Sequence, residues 1–252
     1  KEEYWVWTLT NKENTLEEYT KQLTDDQKIV LSDIWEFFRS ESQIFMLSWL
    51  AWTWKSFLIP NIINESYNIW FEQADVLAYS QRVAYSLSNQ ARWYSINGLY
   101  SYIYSWWHHE RTDDTSQEWE QEDTITDKEL IWLGTNDNAD KCVYIIDEAH
   151  LINDTLLESD DVRFWTGRLL HDFFEFIKIK PGFKVIFIWD PYLIQDEKSA
   201  LNWKYIHDSY GFIPTMRELK IQKNSTDINR IALYLKDKIA WNSFSEMEIP
   251  EG

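Results

Sequence analysis

The chain has 252 residues, 44% of them apolar, with a formal net charge of −18. That length suits one large domain or two small ones with a sizeable core. A single cysteine excludes a disulfide framework, and no run of about 18 apolar residues offers a membrane span. The acidity excludes a broad electrostatic footprint on nucleic acid, but not a narrow groove that holds single strands by stacking.

Residues 1–22 are polar and charged with scattered aromatics and read as a lead-in. The opening Lys-Glu-Glu-Tyr-Trp has no signal-peptide pattern, so a cytoplasmic protein is expected. A helix is predicted from Thr24 to about Ser40, with Ile29, Val30, Ile34, Phe37 and Phe38 as its apolar stripe. Thr24 caps it and Gln27, three positions on, completes a capping box. Gln27 has a second reading, as a contact to an adenine ahead of a phosphate-binding loop. Spacing leaves both open.

Such a loop is suggested by the next stretch. A short strand (Ile44 to Leu47) leads into Trp49-Leu50-Ala51-Trp52-Thr53-Trp54-Lys55-Ser56, and the apolar Phe57 to Ile59 can open a helix. With Trp49 and Trp54 read as glycines, this is the G-x-x-x-x-G-K-[ST] P-loop in its strand-to-helix setting. The glycines matter because they let consecutive N–H groups curl around a phosphate. An indole at Trp54 would fill the space meant for the nucleotide. Tryptophan numbers 16 and glycine only 6, whereas glycine alone usually makes up about 7% of a chain. Tryptophan also stands where glycine would be natural, at Trp165, at Trp189 and in the Trp106-Trp107 pair. Two accounts stand side by side: UGA codons that specify glycine are written as tryptophan, or the protein is rich in tryptophan.

The helix after the loop is predicted to run to about Asn64, followed by a strand over Ala74 to Tyr79 and a second helix from Ser80. Arg82, on its first turn, is either a contact to a strand phosphate or a solvated surface residue. Ser95 to Tyr104 is aromatic-rich and expected to be helical, its tyrosines serving as stacking platforms or as core. Residues 108–130 are acidic and poor in apolar residues, an exposed insertion in which His108 and His109 are solvated.

Cys142 to Ile146 is a continuous apolar run of the kind a central parallel strand needs, with a buried reduced thiol at its start. It ends in Asp147-Glu148-Ala149-His150. At a strand's C-terminal edge, Asp147 can hold Mg²⁺ through its water shell, and Glu148 can orient and deprotonate an attacking water. The plainer alternative is an acidic strand end meeting solvent. A helix is predicted over Leu169 to Ile179 and a buried strand over Phe183 to Ile188, ending at Trp189-Asp190-Pro191. Asp190 would lie beside the preceding strand's carboxylates and sense a γ-phosphate, or simply form a turn. Past Ala200 the signals fade until a helix over about Thr226 to Ile239.

Taken together, the motifs resemble the first motor domain of superfamily 1 DNA helicases of the RecD-like and Dda-like kind, from about Leu23 to Lys223; AAA-family and Schlafen-type ATPases are also similar. L-T-D-D-Q-K at 23–28 is similar to the family's Q-motif, which implies that Gln27 contacts the adenine. Residues 49–56 resemble G-x-A-G-T-G-K-S, with Trp52 also on a glycine. That implies Lys55 on the β- and γ-phosphates and Ser56 on Mg²⁺. S-Q-R-V-A at 80–84 resembles motif Ia, which implies that Arg82 lies near the nucleic-acid path. D-E-A-H at 147–150 matches the Walker B motif, and W-D-P-Y at 189–192 resembles motif III. The chain departs from the pattern at Tyr79 (usually proline), Asn97 (often histidine), Leu193 (usually glutamine) and Ile221 (an arginine).

The resemblance implies an α/β, three-layer RecA-like P-loop NTPase domain with a mostly parallel sheet, using ATP and Mg²⁺ and meeting single-stranded DNA but no membrane. No second motor domain follows, so the chain is expected to be a truncated piece that binds nucleotide better than it translocates. The other readings are a tryptophan-blocked homologue acting as an interaction module, and a regulatory or defence ATPase that does not unwind. Oligomeric state has no signature in the sequence.

Overall fold

The computed structural model describes residues 23–49, 55–88, 94–105, 129–157, 162–190 and 196–219. The lead-in, loop residues 50–54, Trp106, Trp107, His108, His109 and the helix expected over Thr226 to Ile239 lie outside these.

Helix α1 (Asp25–Arg39) starts with the expected capping box: Thr24 Oγ1 accepts the Gln27 N–H at 3.3 Å, and Gln27 Oε1 accepts the Thr24 N–H at 2.9 Å. These reciprocal bonds satisfy two donors that the helix start leaves unpaired. Strand β1 (Ile44–Trp49) and helix α2 (Lys55–Asn68) follow. The helix runs a turn beyond the predicted Asn64, because Ser66 is buried and its hydroxyl donates back to the Ile63 carbonyl at 2.7 Å. Strand β2 (Gln73–Ala78) leads into α3 (Gln81–Ser88).

The segment Ser95 to Tyr104 is not one helix. It divides into β3 (Ile96–Gly98), the single turn α4 (Leu99–Ile103) and β4 (Tyr104–Ser105). Gly98 is the reason: a Cβ there would lie 2.4 Å from the Gln81 backbone nitrogen, so bare backbone lets β3 close against the start of α3 and pair with β2. Strand β5 (Glu129–Leu133) takes up the last residues of the predicted insertion. Then come β6 (Cys142–Asp147), β7 (Val162–Phe164), α5 (Leu169–Lys178) and β8 (Lys184–Trp189). Strands β5 and β7 were not anticipated, nor were α6 (Trp203–Tyr210) and β9 (Thr215–Leu219).

Six strands form one parallel sheet in the order β3-β2-β6-β8-β1-β9, and β4, β5 and β7 form a small second sheet. Alternate side chains feed two cores. Phe45, Leu47, Val143, Ile145, Ile186 and Ile188 pack with α1, α2 and α3 on one face, while Ile44, Met46, Tyr144, Ile146, Val185 and Phe187 pack with α5 and α6 on the other. Burial on both faces explains why β1, β6 and β8 are unbroken apolar runs. The protein is a three-layer α/β domain of the RecA-like arrangement, with a parallel sheet. Cys142 is buried and free, and burial pushes its thiol well above the usual range.

Candidate functional site

In a parallel sheet every strand delivers its C-terminal residue to the same edge, and ligand sites of open α/β sheets gather there. Ile146 of β6 pairs with Phe187 of β8, which pairs with Met46 of β1. The exits of β1, β8 and β6 therefore stand side by side, with β8 in the middle. At the usual strand spacing, β1 and β6 are about 10 Å apart.

Trp49 ends β1, and Lys55 and Ser56 open α2, so the loop from 49 to 56 joins a strand's exit to a helix's start. Leu50, Ala51, Trp52, Thr53 and Trp54 lie outside the described residues, as do the side chains of Trp49, Lys55 and Ser56. A helix N-terminus so placed offers backbone N–H groups to an anion.

On the far side of β8, Asp147 ends β6 with its side chain buried and Oδ1 accepting the Glu148 N–H at 2.9 Å. Glu148 sits in left-handed backbone (φ 54°), which turns the chain out of the strand. Its Oε2 is 3.4 Å from Nδ1 of His150, a neighbour that sequence reasoning passed over although the two lie together in D-E-A-H. Asp190, half-buried, follows Trp189 at the exit of β8, the strand that neighbours β6. Magnesium usually takes one or two carboxylates with phosphate oxygens and water. Asp147 fits that donor set, and among the described residues no cluster of three or more metal-ligating side chains forms a cage.

The flanking residues are less concentrated. Ala78 pairs with Asp147, so the chain leaving β2 runs into α3 beside the acidic pair, and Arg82 is exposed on the first turn of α3. Gln27 is buried with its Oε1 engaged in the capping box. Tyr100 packs edge-on against Tyr79 with centroids 5.5 Å apart, and against Tyr104 and Phe164. Tyr104 is buried and its hydroxyl donates to Asp172, so this tyrosine belongs to the core rather than to a stacking platform.

No protein-family model matches the chain, and no curated protein matches it. Among the described residues no helix is long and apolar enough to cross a membrane.

Proposed function

We propose that the chain binds and hydrolyses ATP with Mg²⁺, as the first motor domain of a DNA helicase. One observation carries the reading: the Lys55-Ser56 helix start and the Asp147-Glu148 pair stand on the same edge of a parallel sheet, with β8 between the strands that deliver them. That separation suits a triphosphate held at one end by the loop and met at the other by the carboxylates.

In this scheme Lys55 neutralises the β- and γ-phosphates, and Ser56 and Asp147 hold Mg²⁺. The bound ion supplies charge neutralisation across the phosphates. Glu148 takes the proton of the attacking water, with His150 beside it, and Asp190 senses the γ-phosphate from the exit of β8. Gln27 meets the adenine, and Arg82 meets a phosphate of single-stranded DNA.

A second reading has a specific observation behind it. Trp54 directly precedes Lys55, and in a P-loop an indole there would fill the space meant for the nucleotide. The chain would then be a blocked homologue that serves as an interaction module. Titrating Mg-ATP against the tryptophan form and against a form with Trp49, Trp52 and Trp54 changed to glycine separates the two. Micromolar binding by the glycine form alone is expected, and no binding by either form sinks the ATPase reading. For the helicase part, ATP turnover without strand displacement by the full gene product would point to a non-unwinding regulatory ATPase.

A further inference from the structure

Helix α2 ends in a Schellman motif. The Phe71 N–H donates to the Ser66 carbonyl at 3.0 Å, and the Trp70 N–H to the Tyr67 carbonyl at 3.1 Å. This pair of bonds requires the residue between, position 70, to adopt left-handed backbone, a place that glycine normally fills. Trp70 has φ 73°. Helix α6 ends in the simpler left-handed cap at Gly211, φ 76°, whose N–H donates to the His207 carbonyl at 2.9 Å. Two helix ends in one chain thus share a conformation, one with glycine and one with the bulkiest side chain.

A Cβ in that region crowds the following carbonyl, and a bulky residue rarely occupies it. Nothing offsets the cost at position 70, since Trp70 is 82% exposed and its indole gains little from burial. Among the described residues the one other non-glycine with positive φ is Glu148, at the candidate site, where backbone strain commonly collects. Position 70 has no such reason: it precedes β2, at the opposite edge of the sheet from the loop after β1.

Trp189 is a second misfit. It is 5% exposed, yet its indole N–H finds no hydrogen-bond partner among the described residues, although a buried indole usually has one. Other tryptophans fit where they are. Trp165 donates to Glu175 at 2.8 Å and packs on Trp132, and the Arg39 guanidinium lies 3.9 Å over the Trp35 ring. The misfit is selective.

We infer that the residue for which position 70 was selected is glycine. The same replacement accounts for Trp189 and for the three tryptophans of the loop, so tryptophan stands for glycine at a defined subset of positions in this chain.

The deciding measurement is tandem mass spectrometry of the peptide containing position 70, from protein isolated from the cells that make it. Glycine is the expected residue, and tryptophan overturns the inference. Urea unfolding of the recombinant chain tests the physical ground. Trp70→Gly should raise the folding equilibrium constant by about 5- to 30-fold, and Trp70→Ala by clearly less, since alanine keeps the Cβ. A glycine variant no more stable than the alanine variant overturns the strain argument. Both readouts are independent of ATP, so failure of the nucleotide titration leaves this inference standing, and the reverse holds as well.

Discussion

Asp147 Oδ1 accepts the backbone N–H of Glu148 at 2.9 Å, and that bond closes the turn by which Glu148 enters left-handed backbone at φ 54°. The first carboxylate therefore fixes the start of the loop that carries the second. In the form with glycine at positions 49, 52 and 54, Glu148→Gln should lower phosphate release by about 10²- to 10⁴-fold, the usual worth of a positioned general base. ATP affinity should stay within a few-fold. Asp147→Asn should instead weaken Mg²⁺-dependent binding itself. Phosphate-release assays beside fluorescence titration distinguish the two, and equal loss of binding in both variants would contradict the assigned roles.

Lys184 makes stability depend on pH in an unusual direction. Its Nζ is buried, donates to the Ser40 carbonyl at 2.7 Å and to the Ser42 carbonyl, and burial pushes its pKa down to about 8. The folded value lies below that of the free side chain. Between about pH 8 and 10.5 the unfolded chain keeps a proton that the native state has released, so this group's contribution to stability rises with pH. The rise is at most about 3 kcal/mol. Lys184→Met should lack it, and urea midpoints of the two proteins compared across that window measure the difference.

Asp172 is fully buried, with Oδ2 accepting the Tyr104 hydroxyl at 2.6 Å and Oδ1 accepting that of Thr166. Burial raises its carboxyl above the ordinary range in spite of these donors. Tyr104→Phe removes one donor and should destabilise the fold by about 1–3 kcal/mol. The loss should be larger at neutral pH than in acid, because only the ionised carboxylate misses the donor fully. Thermal unfolding at the two pH values reads this out.

Gly98→Ala should cost about 1–3 kcal/mol, as small-to-large changes in packed sites do. The added Cβ would meet Gln81 backbone atoms at 2.4 and 2.7 Å, which cannot swing aside as a flexible side chain would. The same change should disturb the bond from the Gly98 N–H to Gln81 Oε1, 3.0 Å in the native fold. Chemical denaturation is the check, and an unchanged midpoint would mean that α3 and β3 are not locked together here.

Elements with strong local chemistry were legible in the chain. The capping box at Thr24 and Gln27 placed the start of α1, and the apolar run from Cys142 placed β6, because a strand buried on both faces needs no alternation. Strand β9 escaped notice because it is an edge: Thr215 to Glu218 are exposed and only Leu219 is buried, which leaves no periodic signal. Helix α6 buries Ile206 alone. The break at Gly98 was hidden as well, since its cause is a contact with Gln81, distant in sequence. At the site, the shared edge of Asp147 and the loop after β1 followed from motif order, whereas the approach of His150 to Glu148 needed three dimensions.

The strand order also dictates when the chain can take shape during synthesis. Ile44 must wait for Val185, and Phe45 for Thr215, before β1 has a neighbour on either side. While most of the polypeptide is still being made, an early, very apolar strand has no permanent partner, and contacts between such distant residues form slowly. A nascent chain stopped before Thr215 would leave that edge of β1 open to chaperones or to aggregation.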